Sequence, residues 1–460
     1  MPLDKRIIDE IGSIAGKKNV LTSPEDLVCY SYDGTFVEAL PDAVVNPANT
    51  DEVAAIMKVA YREGIPVIAR GMGSGLAAAS VPQGGGLVLG LTRLNHILDI
   101  DTENMMIRVE AGVVTADLQT EVENLNLFYP PDPSSIKHST IGGNIACNAG
   151  GPRCLKYGVT SDYLLGLTVV LSDGRVIRTG GKAIKNVTQY NLTQLFAGSE
   201  GTLGIITEAL LKLIPKPKYV RTAMAVYADL QNAGETVNRI LLADIVPATM
   251  ELMDNTTINT IEEHLHLGLP TSAEAILLIE ADGSSETQVL KDIEQIARIA
   301  RDSGASEVKV AANETERAQL WKARRSISPS LARRRPNKLG EDISVPRSKI
   351  PEAIRRIKAI SQEYGLPIAV FGHAGDGNLH PNILFDKRNP DEWDRVQKVS
   401  KAIFSTAVEL GGTLSGEHGV GTLKLPYLSM DLKPELVSVM KEVKKALDPK
   451  GILNPGKKFV

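Results

Sequence analysis

Hydrophobic and polar positions alternate along this chain in two rhythms. A period near 3.6 runs through 51–63, where Val53, Ile56, Met57 and Ala60 share one face. Asn49 or Thr50 can cap that helix and Gly64 can end it. Two short helices and an extended lead-in are expected before residue 40, and a helix over 115–124 carries Leu118 and Val122. Apolar runs at 66–69, 87–91, 106–110 and 205–213 read as strands. Beyond the stiff, polar joint Ile214-Pro-Lys-Pro-Lys218, strand-like and helix-like stretches alternate. Strands are expected at 223–226, 250–253, 275–279 and 308–311, and helices at 231–243, 285–303 and 313–333. The run 275–279 is apolar throughout, which suits an interior strand. This half therefore reads as α+β, an antiparallel sheet with helices on one face. Near the end, Leu436, Val437, Met440, Val443 and Leu447 form an apolar stripe expected to enter a core.

Three glycine-rich stretches interrupt the first half. The strand at 66–69 runs into Arg70-Gly-Met-Gly-Ser-Gly-Leu76, a loop whose backbone N–H groups could close on a phosphate. Its Gly-x-Gly-x-Gly spacing and the lack of a following crossover helix set it apart from a dinucleotide fingerprint. By itself the loop leaves phosphate binding and a flexible turn both open. Residues 130–151 contain Pro131-Asp-Pro-Ser-Ser135, Ser139-Thr-Ile-Gly-Gly-Asn144 and Asn148-Ala-Gly-Gly151, and little that could build a core. That run suits a loop wrapped around a polar, planar ligand. Gly198-Ser-Glu-Gly-Thr-Leu-Gly-Ile205 is the third stretch.

Candidate chemistry sits in the second half. Strands at 368–371 and 383–385 flank Ala-Gly-Asp-Gly-Asn, a turn signal, so a hairpin can bring His373 and His380 side by side. Ser415-Gly-Glu-His-Gly419 adds Glu417 and His418, in a chain with only seven histidines. Two imidazoles and a carboxylate suit a borderline divalent metal, although the spacing alone leaves ordinary loop histidines equally open. Arg324 and Arg325 are neighbours and point about 100° apart on a helix, so one can face inward and grip a carboxylate while the other is solvated. A surface ion pair is the plainer reading of either. Arg333, Arg334 and Arg335 read as a solvated loop, with a docking surface as the alternative.

At 460 residues, two domains are expected. A net charge of −4, with both signs scattered, argues against a nucleic-acid or anionic-membrane surface. The 40 glycines mean many tight turns or close backbone approaches to a ligand. Cys29, Cys147 and Cys154 form no cluster framework and fit a reducing compartment; the latter two read as small packing residues. The N-terminus, beginning Met1-Pro2, lacks an apolar signal region, and no apolar run reaches membrane length. A soluble, cytoplasmic protein is expected, with membrane association through a partner and a homodimer both left open.

The motifs 131–135, 139–144, 149–158 and 198–204 together resemble the FAD-binding motifs of the FAD-linked 2-hydroxy-acid dehydrogenases. That family includes the glycolate oxidase FAD subunit, D-lactate dehydrogenase and D-2-hydroxyglutarate dehydrogenase. The resemblance extends from about residue 20 to Val460. It implies the vanillyl-alcohol oxidase/p-cresol methylhydroxylase fold, with an FAD-binding domain over 1–217, a substrate or cap domain over 218–424 carrying a metal site, and a return segment over 425–460. It implies that Gly71, Gly73, Ser74, Gly75, Leu76, Ser139, Thr140, Gly142 and Gly143 hold the pyrophosphate, and that Pro131, Gly150, Ile205 and Asn454 lie along the flavin. The other cofactor contacts it implies are Arg70, Asp132, Ser135, Asn144, Gly151, Glu200, Gly204 and Ile206. Some relatives attach FAD through a histidine in the first glycine-rich loop; 70–80 has none, so noncovalent FAD is expected.

By the same resemblance, His373, His380 and Glu417 bind a divalent metal (zinc, manganese or iron), Arg324 binds the substrate carboxylate with Ser328 assisting, and Asn382 and His418 contact substrate. The implied reaction is oxidation of a small 2-hydroxy acid, glycolate or D-lactate favoured, to the 2-oxo acid. His418 would act as base, the metal as Lewis acid and the flavin as hydride acceptor. The electrons would pass to an iron–sulfur subunit, an electron-transferring flavoprotein, a cytochrome or a quinone. D-2-hydroxyglutarate oxidation, a flavin-free His/His/Glu metal enzyme and a flavoprotein subunit that only relays electrons are the alternatives.

Overall fold

The computed structural model describes residues 3–458, so Met1, Pro2, Phe459 and Val460 lie outside the described residues. It divides into two compact units. One comprises the chain up to Gly150, Val159–Lys216 and the stretch from Glu417 onward; the other comprises Gly151–Gly158 and Pro217–Gly416. The sequence expectation had placed these junctions after residues 217 and 424. Among the described residues, no helix is long and apolar enough to cross a membrane.

The first unit holds a four-stranded and a five-stranded sheet. The helix Thr50–Glu63 starts where Asn49 accepts a hydrogen bond from the Glu52 N–H at 2.9 Å and stops at Gly64, φ 69°. Its Val53, Ile56, Met57 and Ala60 are buried in the core formed with the smaller sheet. That sheet runs Val20–Leu21, Ala43–Val45, Leu87–Gly90, Val67–Arg70. The last two strands are parallel, yet no helix joins them; the connection is the glycine-rich loop itself. The larger sheet is antiparallel, in the order Ile97–Asp101, Met106–Glu110, Ile205–Lys212, Leu164–Val170, Val176–Gly180.

Residues 130–151 are not loop throughout: Ile141–Cys147 is a helix. Thr140 caps it, accepting from the Gly143 N–H at 3.3 Å, and Asn148 closes it at φ 52°. One of the glycines that suggested a loop, Gly142, is there for clearance. A Cβ at Gly142 would lie 2.7 Å from the Ala111 Cβ.

The second unit is one antiparallel sheet. Its order is Glu307–Val310, Tyr219–Tyr227, Ala275–Gly283, Thr249–Asp254, Ile368–His373, Asn378–Phe385, Asn337–Gly340, with Ile343–Ser344 also pairing the sixth strand. Ala275–Gly283 is interior, as its apolar run implied. Four long helices pack against the sheet: Leu230–Leu242, Glu286–Asp302, Ile350–Tyr364 and Pro390–Glu409. Strand alternation puts Glu251 and Met253, Ala369 and His373, and His380, Asn382 and Leu384 on a common face. Ile258, Ile261, Ala323, Ile327 and Leu331 share a core with Met253, Ala369 and Leu384, so that face too carries helices.

The expected single helix over 313–333 is two, Glu314–Arg325 and Ile327–Arg334, broken at Ser326 (φ −92°, ψ 0°). Pro329 explains the break. It has no N–H to donate, and its ring would meet the carbonyl four residues back, so it is tolerated only in a first turn. The apolar stripe of the last helix, Pro434–Leu447, is not core either. None of Leu436, Val437, Met440, Val443 and Leu447 is buried, and Leu436 is 50% exposed. The side chain this helix buries is Lys444, which donates to the Thr202 carbonyl at 2.7 Å, the Leu453 carbonyl at 2.8 Å and Asp448 at 2.5 Å.

Candidate active site

In the second unit the hairpin forms, with Ile368–His373 and Asn378–Phe385 joined through Gly377 at φ 87°. Register places His373 opposite Asn378 and His380 opposite Phe371. The two histidines are thus diagonal neighbours on one face rather than a facing pair. Both are buried, their ring centroids are 5.1 Å apart and their Nε2 atoms are 3.4 Å apart. Two nitrogens each ~2.1 Å from one ion at a tetrahedral angle would be separated by about that distance. The donor chemistry and the spacing therefore fit a divalent metal.

The neighbouring strand contributes a group that no sequence motif flagged. Glu251 lies directly opposite His373 and is fully buried. Its Oε1 is 2.5 Å from His373 Nδ1, and its Oε2 accepts a hydrogen bond from Arg324 Nε at 2.5 Å. Burial alone would push this carboxyl up; the charges of Arg324 and His373 and their hydrogen bonds outweigh it and hold it at about 2. Arg324 also lies 4.9 Å over the Phe371 ring. Arg325 is exposed and donates to the Ala318 carbonyl at 3.2 Å. Of the two arginines, Arg324 is the one facing inward.

Asn382 is buried and donates to the His380 carbonyl at 2.9 Å. Asp342, also fully buried, was missed from sequence. It accepts from Asn378 Nδ2 at 2.7 Å and Ser415 Oγ at 2.8 Å, with His380 Nδ1 3.9 Å away. Ser328 is exposed, its hydroxyl accepting from Lys338 Nζ at 2.6 Å, so the fold does not bring it into the buried patch. Gly416 ends this unit pressed against Asn378, whose Nδ2 a Cβ there would overlap, and that Cβ would lie 3.1 Å from Asp342 Oδ1. Glu417 and His418 follow at once, both partly buried, and open the return into the first unit.

Within the first unit the glycine-rich stretches converge. A Cβ at Gly71 would overlap the Thr140 hydroxyl, so the first loop's backbone packs directly on that side chain. Arg70 is buried, donates to Ser80 Oγ at 3.3 Å and lies 5.9 Å over the Tyr30 ring. Gly73 takes φ 68°, Ser74 and Gly75 are partly covered, and Leu76 is exposed. The Pro131 carbonyl accepts from Gln119, and the Ser139 N–H donates to the Ser135 carbonyl. Asp132 is partly covered, and Asn144 donates to Thr115 Oγ1 at 2.8 Å. Gly150 is buried here, whereas Gly151 is counted with the second unit. Gly204, Ile205 and Ile206 are buried at the head of a central strand.

Glu200 behaves as an anchor. Its carboxylate accepts from the N–H groups of Val420 and Gly421 at 2.9 and 2.7 Å, which fixes the chain two residues past His418. Asn454 donates to the carbonyls of Ala79 and Glu200. Around these loops Asp33 Oδ2, Ser199 Oγ and Asn454 Oδ1 are buried with no partner among the described residues. A ligand rich in hydroxyl and N–H groups would satisfy them, and FAD is such a ligand. Burial pushes the Cys147 thiol up to about 12, which makes it a poor nucleophile toward a flavin.

Residues 41–180 match the FAD binding domain, and residues 216–458 match the C-terminal domain of FAD linked oxidases. The glycolate oxidase subunit GlcD of Bacillus subtilis (strain 168) is 49% identical over 458 residues, spanning 99% of this chain and 97% of that protein. The chain belongs to the FAD-linked oxidase family. The GlcD subunit of Escherichia coli K12 is 39% identical to this FAD-linked oxidase, over 95% of the chain and 88% of that protein. A D-lactate dehydrogenase of Anaerostipes hadrus is 36% identical, over 98% and 96%. Among solved structures, p-cresol methylhydroxylase superposes with a TM-score of 0.82 at 19% identity, covering 98% of this chain and 96% of that one. The 4-ethylphenol oxidase of Gulosibacter chungangensis gives the same TM-score and coverage at 22% identity. The fold is therefore the vanillyl-alcohol oxidase/p-cresol methylhydroxylase type. FAD is the cofactor, and the flavin-free alternative falls.

Proposed function

We propose that this FAD-linked oxidase converts a small 2-hydroxy acid, glycolate or D-lactate, to the 2-oxo acid. The electrons then pass to a partner protein or a quinone. The relatives named glycolate oxidase subunit and D-lactate dehydrogenase support the substrate class. The observation that carries the reading is that Arg324 and His373 share one buried carboxylate, Glu251. A cation suited to gripping a substrate carboxylate is thereby held beside an imidazole pair suited to a metal.

When bound, FAD supplies the hydride acceptor, and a divalent ion on His373, His380 and Glu417 supplies Lewis acidity toward the hydroxyl. Glu417 is proposed as third ligand because the chain reaches it directly from Gly416, which lies against Asn378 and Asp342. Arg324 orients the substrate by its carboxylate, using the terminal nitrogens that Glu251 leaves available. Asn382, buried next to His380 on the same face, contributes an amide to orientation. His418 accepts the hydroxyl proton as a neutral imidazole. FAD is held noncovalently: acid precipitation should leave the protein colourless and the flavin in the supernatant.

The test is anaerobic titration of the purified holoprotein against a panel of 2-hydroxy acids, together with metal analysis. Glycolate or D-lactate should bleach the flavin absorbance to completion. If dithionite bleaches the flavin and no 2-hydroxy acid does, the reading is wrong.

A further inference from the structure

We infer that Glu251 is a positioning residue that couples the metal-binding imidazole to the substrate-binding guanidinium. The inference rests on the roles just proposed for His373 and Arg324, and it concerns a residue of neither the ligand set nor the substrate contacts. Three features support it. Glu251 faces His373 across paired strands, so backbone register fixes their separation. Both carboxylate oxygens are used, one on His373 Nδ1 and one on Arg324 Nε, each at 2.5 Å. The carboxylate is wholly buried, and a charge in that position persists only when it is paired.

Each contact has a chemical consequence. An Nδ1–H donated to an anion fixes the tautomer of His373, leaves the Nε2 lone pair for a metal and raises that nitrogen's basicity. An Nε–H donated to the same anion fixes the plane of the Arg324 guanidinium, already stacked over Phe371, and leaves its outer edge to receive a planar carboxylate. Metal affinity and substrate affinity should therefore be coupled through one side chain. A glutamine cannot replace it, because an amide has one acceptor end for two donors and no charge.

The experiment compares Glu251→Gln with the parent holoprotein in three measurements. Chelator-treated protein is titrated with zinc and with manganese by calorimetry; flavin reduction by the preferred hydroxy acid gives KM and kcat separately; and nitrogen-15 histidine spectra report the His373 tautomer. Metal Kd should weaken 10–100-fold. KM should rise at least several-fold, flavin content should be unchanged, and the Nδ1–H signature of the parent should be lost. Glu251→Asp keeps the charge but draws it back by one methylene, so it should fall between the two. It decides the question on the same readouts if the glutamine variant does not fold. The inference is overturned if metal Kd and KM both stay within twofold of the parent, or if His373 keeps the Nδ1–H tautomer without the carboxylate. The tautomer measurement needs neither metal nor substrate. A parent protein that binds no metal and oxidises no hydroxy acid would thus refute the proposed function, while the spectra would still judge Glu251.

Discussion

Around the glycine-rich loops of the first unit, some glycines stand where any side chain would collide with a neighbour. Gly71 lies against the Thr140 hydroxyl and Gly142 against Ala111. In the second unit the candidate chemistry is borne by charged and titratable side chains that hold one another: Arg324, Glu251, His373 and His380 form a buried chain of contacts. The first arrangement suits a large ligand recognised by shape and many weak hydrogen bonds. The second suits a small, charged ligand recognised by a few strong ones. A glycine cradle tolerates little added volume, and an ionic chain tolerates little loss of charge, so the two regions should fail differently.

The largest expected effect separates chemistry from cofactor binding. His418→Ala should slow flavin reduction by ~10²–10⁴-fold with FAD content intact. Rapid-mixing reduction near the parent rate would remove His418 from the proton-accepting role. Arg324→Ala should come next, because it strands a buried anion. A loss of ~3–5 kcal/mol of stability is expected in denaturant titration, with a raised KM in the surviving protein. If Glu251→Leu in that background restores none of the stability, the ionic chain is not what the substitution broke. Gly71→Ala works in the other region, where overlap with Thr140 should weaken FAD binding by ~1–3 kcal/mol. Flavin release on dialysis measures it, and metal content should not change.

The smallest effect concerns acid. The folded Glu251 carboxyl sits at about 2, below the ordinary glutamate value. Its contribution to stability is present above that ordinary value and is lost as pH falls toward 2. Asp33 in the first unit is shifted the other way, raised chiefly by burial against the opposing Thr35 hydrogen bonds, so its ionisation works against folding as pH rises. Unfolding free energies measured across the acid range should show Glu251→Gln flattening the rise of stability with pH. Asp33→Asn should remove a fall. The same sign for both would contradict the contrast.

Most of the first unit's glycine-rich loops could be read along the chain because glycine positions that need clearance or a positive φ are local. The loop at 70–76, the cap at Thr140 and the helix Thr50–Glu63 each depend on residues within a few positions of one another. Even there, the helix Ile141–Cys147 was hidden, since Gly142, required for close packing on Ala111, looks like a loop glycine. The helices Asn255–Leu265, Ile350–Tyr364 and Pro390–Glu409 went unread beside more regular neighbours. The last helix misled in the opposite sense, with an apolar stripe that stays outside the core and a lysine that enters it.

The sequence by itself determined the two-part organisation, an FAD-binding first half, and the histidine and arginine types that a 2-hydroxy-acid oxidase would use. These follow from spacing, turn chemistry and resemblance in motifs that are contiguous in the chain. Only the tertiary structure decided that His373 and His380 are diagonal neighbours, and that Glu251 and Asp342 stand behind them. Glu251 is 122 residues from His373 in the chain, and only the register of paired strands brings its carboxylate to the imidazole. A buried charge is selected by what it touches, and that information lies in the packing of strands, which no local pattern carries.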